Sequence, residues 1–149
     1  MLPIAVDAMG GDEAPAPILA GVHQAVAAGA SVVLVGPEDL DGRATPDGRL
    51  LDLIVASEVI GMHDDPAQGV RRKKDSTLVR AAEAVRDGRA SAMISAGNTG
   101  ATMAAALLRM GRISGVKRPA IATPIPVPGS TPTVLLDAGA NAEVQADWL

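Results

Sequence analysis

Short apolar runs alternate with stretches of helical period along most of this chain. Ile4-Ala5-Val6 is a strand-like run closed by Asp7, and the turn holding Gly10-Gly11 leads to Pro15 and Pro17. Ile18, Val22, Ala25 and Val26 then share one helical face, with Gly29 as the stop. Residues 32–35 are a second buried strand, closed by Gly36-Pro37. Residues 38–48 are rich in Asp, Gly and Pro and read as loop or a weak helix. Residues 50–56 suit a strand, although Leu50, Leu51 and Ile54 also fit one helical turn. Residues 62–69, with Asp64-Asp65-Pro66, read as a loop. Helical spacing returns at Leu78, Ala82 and Val85 and stops at Gly88. Residues 92–94 read as the end of a buried strand, and Met103, Leu107 and Met110 recur as a helix that runs out at Gly111. Residues 120–122 are apolar, but Pro124, Pro126 and Pro128 forbid a central strand through the segment that follows. Thr133–Leu136 reads as a final buried strand ending at Asp137.

Strands alternating with helices predict an α/β fold, a mostly parallel sheet covered on both faces in three α/β/α layers. Ligands of such sheets bind beyond the carboxyl ends of the strands. Three predicted strand ends carry glycine beside polar side chains: residues 7–12, 95–100 and 137–141. They are expected to converge.

The richest of these turns is Ser95-Ala96-Gly97-Asn98-Thr99-Gly100. Gly97 and Gly100 lack a Cβ, so the backbone can bend sharply and bring its N–H groups close to a ligand. Asn98 or Thr99 can cap the helix that follows, and a helix start favours an anion. A plain strand-to-helix turn accounts for the same residues. Arg71-Arg72-Lys73-Lys74 is the densest positive charge, directly before the helix start at Asp75-Ser76. It reads as a solvated face or as an anion site in which flexible lysines reach a phosphate. Asp75 then orients those lysines or caps the helix. Asp7 and Asp12 flank Gly10-Gly11, where a turn explains the glycines. The acids, like Asp137 and Asn141, would position a base, accept a ligand proton or bind a metal. His23 and His63 have no partner at metal spacing and read as structural, so no metal site is expected. Gly-Lys-Ser/Thr phosphate loops and Gly-x-Ser-x-Gly elbows are absent.

Composition narrows the options. Hydrophobic residues make up 48% of the 149, yet there is no Phe or Tyr and only one Trp, Trp148, so the core must be aliphatic. That argues against base stacking as a route to RNA or single strands, and a net charge of -4 disfavours nucleic acid generally. The absence of cysteine excludes disulfides and thiolate metal sites. Met1-Leu2-Pro3-Ile4 lacks the form of a signal peptide, and every apolar run is far shorter than the ~18 residues of a membrane span. A soluble cytoplasmic protein is expected. Little chain follows Asn141, where the alternation calls for another helix, so a fragment, or a chain that needs a partner, is expected.

Four segments together carry a resemblance: residues 4–12, residues 71–76, residues 95–101 and Leu135-Leu136-Asp137-Ala138-Gly139-Ala140-Asn141. In this order they resemble the N-terminal half of the bacterial phosphate acyltransferases of phospholipid synthesis. The resemblance implies an α/β/α fold like that of isocitrate and isopropylmalate dehydrogenases, built as a homodimer. It implies transfer of a fatty acyl group from acyl carrier protein to inorganic phosphate, giving acyl phosphate for a membrane-bound downstream acyltransferase, with no cofactor. A cytoplasmic place, peripheral at the membrane, goes with that role. In its light Lys73, Lys74, Asn98, Asp12 and Asp137 become the expected catalytic residues. Asp7, Gly10, Gly11, Ser76, Ser95, Gly97, Thr99, Gly100, Gly139 and Asn141 become the expected phosphate-binding ones. A coenzyme A-dependent phosphate acyltransferase and an inactive anion-binding fragment remain alternatives.

Overall fold

The computed structural model describes residues 1–139, and its chain divides into two compact units, one spanning Met1–Met110 and one beginning at Gly111. The first unit is built on four parallel strands. β1 (Ile4–Asp7), β2 (Val32–Gly36), β3 (Leu53–Val55) and β4 (Ala92–Ile94) lie in the order β3-β2-β1-β4. Their crossovers carry α1 (Ala16–Ala27), then α2 (Pro66–Arg72) and α3 (Thr77–Arg86), and α4 (Thr99–Ala105) follows β4.

Period-two alternation in β1 and β2 sorts the two faces. Val6, Val32 and Leu34 pack with Leu19 and Val22 of α1 and with Leu40 and Leu51. Ala5, Val33 and Val35 face the other way, against Ala81 and Ala84 of α3. A third cluster joins Val70 of α2, Leu78, Val79 and Ala82 of α3, and Ala101 and Ala105 of α4. The unbroken Val32-Val33-Leu34-Val35 run is therefore what a strand covered on both sides requires, and each of these side chains is buried. The mostly parallel α/β sheet expected from the alternation is present, with helices on both faces.

Several details differ from expectation. The strand expected over residues 50–56 is paired only at Leu53–Val55, because residues 44–50 fold back on themselves through an Ala44–Leu50 bridge. Residues 66–69, expected to be part of a loop, belong to α2: Asp65 caps it by accepting the Gln68 N–H at 2.7 Å, and Pro66 takes the first helical position. The helix after β4 ends as a π-helical turn over Ala106–Met110.

The second unit contains β5 (Ala122–Ile125) and β6 (Thr133–Leu136), paired antiparallel. β6 has the expected bounds, but it is exposed along its length and not buried. A two-stranded ribbon has only edge strands, so Pro124 is tolerated in β5.

Candidate functional site

Sheet order fixes where the crevice lies. The chain steps from β1 outward to β2 and β3, then returns to the other side of β1 as β4, so the switch point falls between the carboxyl ends of β1 and β4. The turns leaving those two strands meet there. Asp7 is 2% exposed, and its carboxylate accepts the Met9 N–H at 3.0 Å and the Ser95 hydroxyl at 2.7 Å. Ser95 Oγ in turn accepts the Gly97 N–H at 3.0 Å. A buried carboxylate is thus satisfied through a relay of neighbouring donors, which ties together turns 88 residues apart in sequence.

The glycines at this junction are required by packing. A Cβ on Gly10 would lie 2.6 Å from Ser95 Oγ, 2.8 Å from Asp7 Oδ2 and 2.9 Å from the Gly97 nitrogen. One on Gly97 would lie 3.2 Å from Gly10 Cα, and one on Gly100 would meet the Pro66 ring at 2.8 Å. Gly11, at φ +111°, turns the chain in a region L-residues avoid.

Asn98 caps α4 by accepting the Ala101 N–H at 3.0 Å. Its amide donates to the carbonyls of Gly61, Met62 and Asp64 at 3.2–3.3 Å, and the residue is 7% exposed. Of the turn's backbone donors, the Thr99 and Gly100 N–H groups have no partner among the described residues. Thr99 itself is exposed.

Lys73 approaches the same 61–64 loop from the end of α2. Its ammonium donates to Val59 O at 2.7 Å and to Asp64 Oδ2 at 2.6 Å. Lys74 is exposed and, with Arg71 and Arg72, has no hydrogen-bond or ion-pair partner among the described residues. Asp75 neither orients the lysines nor caps α3. Its carboxylate accepts from the Ser57 hydroxyl and N–H at 2.6 and 3.0 Å and from Arg80 Nε at 2.6 Å. Those bonds, the Ser57 hydroxyl foremost, hold its pKa down to about 2. Ser76 starts α3 but is wholly buried, and its hydroxyl finds no partner among the described residues.

The structure therefore brings Asp7, Gly10, Gly11, Ser95, Gly97, Asn98, Thr99 and Gly100 to one junction, with Lys73 one loop away. Asp12 is exposed at the end of the first turn. Asp137, at φ +58°, and Gly139 belong to the second unit, and Asn141 lies outside the described residues. Asp64 escaped the sequence reading, since nothing in its spacing sets it apart, whereas Asp65-Pro66 carried a legible cap-and-first-turn signal. Among the described residues no cluster of His, Asp and Glu could hold a metal, and no helix is long and apolar enough to cross a membrane.

Comparison with known proteins adds the family. The phosphate acyltransferase of Desulforudis audaxviator is 49% identical over 147 residues, which cover 98% of this chain and 44% of the relative. That of Pelotomaculum thermopropionicum is 50% identical over 145 residues, 94% of this chain and 42% of the relative. That of Geobacillus thermodenitrificans is 46% identical over 148 residues, 98% and 45%. The chain spans about half the length of the curated relatives it matches. The family model described as fatty acid synthesis protein matches residues 2–149, and the chain belongs to that family.

Proposed function

We propose that this chain carries the phosphate-holding face of a phosphate acyltransferase, which moves a fatty acyl group from acyl carrier protein to inorganic phosphate for phospholipid synthesis. The observation that supports this most is the junction of Lys73 and Asn98 on one loop, beside the switch point of the sheet. The Thr99 and Gly100 N–H groups are among the turn's donors without a partner among the described residues, and the free charge of Lys74 follows at the end of α2.

In this reading phosphate sits against the Thr99 and Gly100 N–H groups, and Lys74 reaches it as a point charge. A phosphate oxygen attacks the thioester carbonyl carbon, the C–O bond forms, and the C–S bond breaks as the thiol leaves with a proton. Holding phosphate in place turns a bimolecular encounter into a positioned attack. The Asn98 amide is spent on three carbonyls, so it acts by placing the turn, and Thr99 is the better donor for the oxyanion. Asp7 holds the Ser95 relay, while Asp12, exposed at the end of the first turn, is the acid that manages the proton. The same reading includes a fold like that of isocitrate and isopropylmalate dehydrogenases, a homodimer, and a cytoplasmic place near a membrane-bound acyltransferase that uses the product.

The test is a titration of the 149-residue chain with inorganic phosphate, followed by turnover with the carrier-protein thioester and hydroxylamine trapping of acyl phosphate. Saturable phosphate binding that shifts the Thr99 and Gly100 amide resonances is expected, with product from the carrier thioester in preference to acyl coenzyme A. Failure to bind phosphate overturns the reading. Preference for coenzyme A replaces the donor.

A further inference from the structure

Asp64, which its spacing in sequence does not set apart, makes four hydrogen bonds in this region. Its carboxylate accepts the Gly61 N–H at 2.9 Å and the Lys73 ammonium at 2.6 Å. Its own N–H donates to Gly61 O at 3.2 Å, and its carbonyl accepts from the Asn98 amide at 3.2 Å. Residues 61–64 are thus closed into a turn by Asp64, and Asn98 grips that turn by three carbonyls. The next two residues carry the connection onward: Asp65 caps α2, and Pro66 packs where a Gly100 side chain would be.

Stability alone does not account for this arrangement. The Lys73–Asp64 pair is partly open to water, with side chains 36% and 38% exposed, and pairs of that kind contribute about 0–1 kcal/mol. Its geometric consequence is larger than its energy. Lys73 spends two of its three hydrogens on the 59–64 segment, so the ammonium is held at the C-terminal end of α2.

We infer that Asp64 is a positioning residue for the phosphate site. It holds Lys73 and the Gly61 turn in the arrangement that Asn98 needs in order to present the Thr99 and Gly100 N–H groups. This rests on the proposed phosphate site, but the coupling from Asp64 to Asn98 is measurable without ligand. The lysine ammonium, and after it the Gly61 N–H, lower the Asp64 pKa, consistent with a carboxylate that stays charged in that role.

The experiment uses Asp64→Asn in the 149-residue chain, with Lys73→Met as a second route to the same loss. Hydrogen exchange and chemical shift of the Asn98 side-chain amide are read by NMR, together with the affinity for inorganic phosphate and the urea midpoint. Both variants should speed Asn98 amide exchange and weaken phosphate binding by about tenfold, as loss of positioning does. The urea midpoint should stay near that of the wild type, a result a merely structural role would not give. Unchanged Asn98 resonances in both variants overturn the inference. A wild-type chain that binds no phosphate instead removes the site reading, and the Asn98 exchange rates still decide whether the coupling exists.

Discussion

Gly10→Ala tests the junction of the β1 and β4 turns most directly. The new methyl would stand 2.6 Å from Ser95 Oγ, 2.8 Å from Asp7 Oδ2 and 2.9 Å from the Gly97 nitrogen, where ordinary contact begins at 3.4 Å. None of the three atoms is the loose end of a flexible side chain, because Ser95 and Asp7 are bonded to each other and Gly97 N is backbone. The turns must separate by about 0.8 Å, or Ser95 must leave Asp7. Overpacking of this kind costs about 1–3 kcal/mol, and a lost hydrogen bond to a buried carboxylate adds about 1.5–3 kcal/mol. Since either response relieves part of the other, a total of about 2–4 kcal/mol is expected. Gly21→Ala is the control: it lies in α1 with nothing within 4 Å of the added carbon. There alanine should stabilise by about 0.5–1 kcal/mol through helix propensity. Urea unfolding of both variants gives the comparison, with a midpoint drop of about 1–2 M expected for Gly10→Ala at a slope of ~2 kcal/mol per M. A Gly10→Ala midpoint equal to or above that of the wild type would refute the close approach of the two turns and the buried Asp7–Ser95 relay with it.

Lys74→Ala should reduce phosphate affinity while leaving stability within about 0.5 kcal/mol, since the side chain is exposed and unpaired among the described residues. Phosphate titration beside a thermal melt checks both parts, and undiminished affinity would remove Lys74 from the site. Asp75 gives a pH-dependent prediction. Its folded pKa of about 2 lies below the ordinary 3.8, so its contribution is full above about pH 4 and is lost as pH falls toward 2. Stability curves of wild type and Asp75→Asn should therefore run apart at neutral pH and converge between those limits. A constant gap down to pH 2 would count against the Ser57–Asp75–Arg80 bonds.

The sheet was legible because burial on both faces leaves a strong mark. Val32-Val33-Leu34-Val35 can only be apolar throughout if helices cover it from two sides, and the α1 and α3 faces that do so showed helical period. α2 was not legible by that route. A seven-residue helix completes fewer than two turns, and of its residues only Gly69 and Val70 are buried, so no period exists to detect. β6 misled in the opposite direction, since an apolar run reports a need for burial and not the partner that supplies it.

At the site, residue types were readable and their partners were not. Gly97 looks in sequence like a glycine that admits a ligand and Gly10 like a turn glycine, and in the structure each admits the other's turn. Asn98 reads in sequence as a cap and, through the resemblance, as a catalytic residue, yet its amide is committed to a loop more than thirty residues earlier. The physical reason is common to both. A carboxylate at the end of β1 can be buried only if its lone pairs are satisfied, and the nearest donors come from the strand that the switch in sheet order places beside it. That requirement brings Ser95 against Asp7, removes room for any Cβ at Gly10, and leaves the Thr99 and Gly100 N–H groups among the backbone donors without a partner among the described residues.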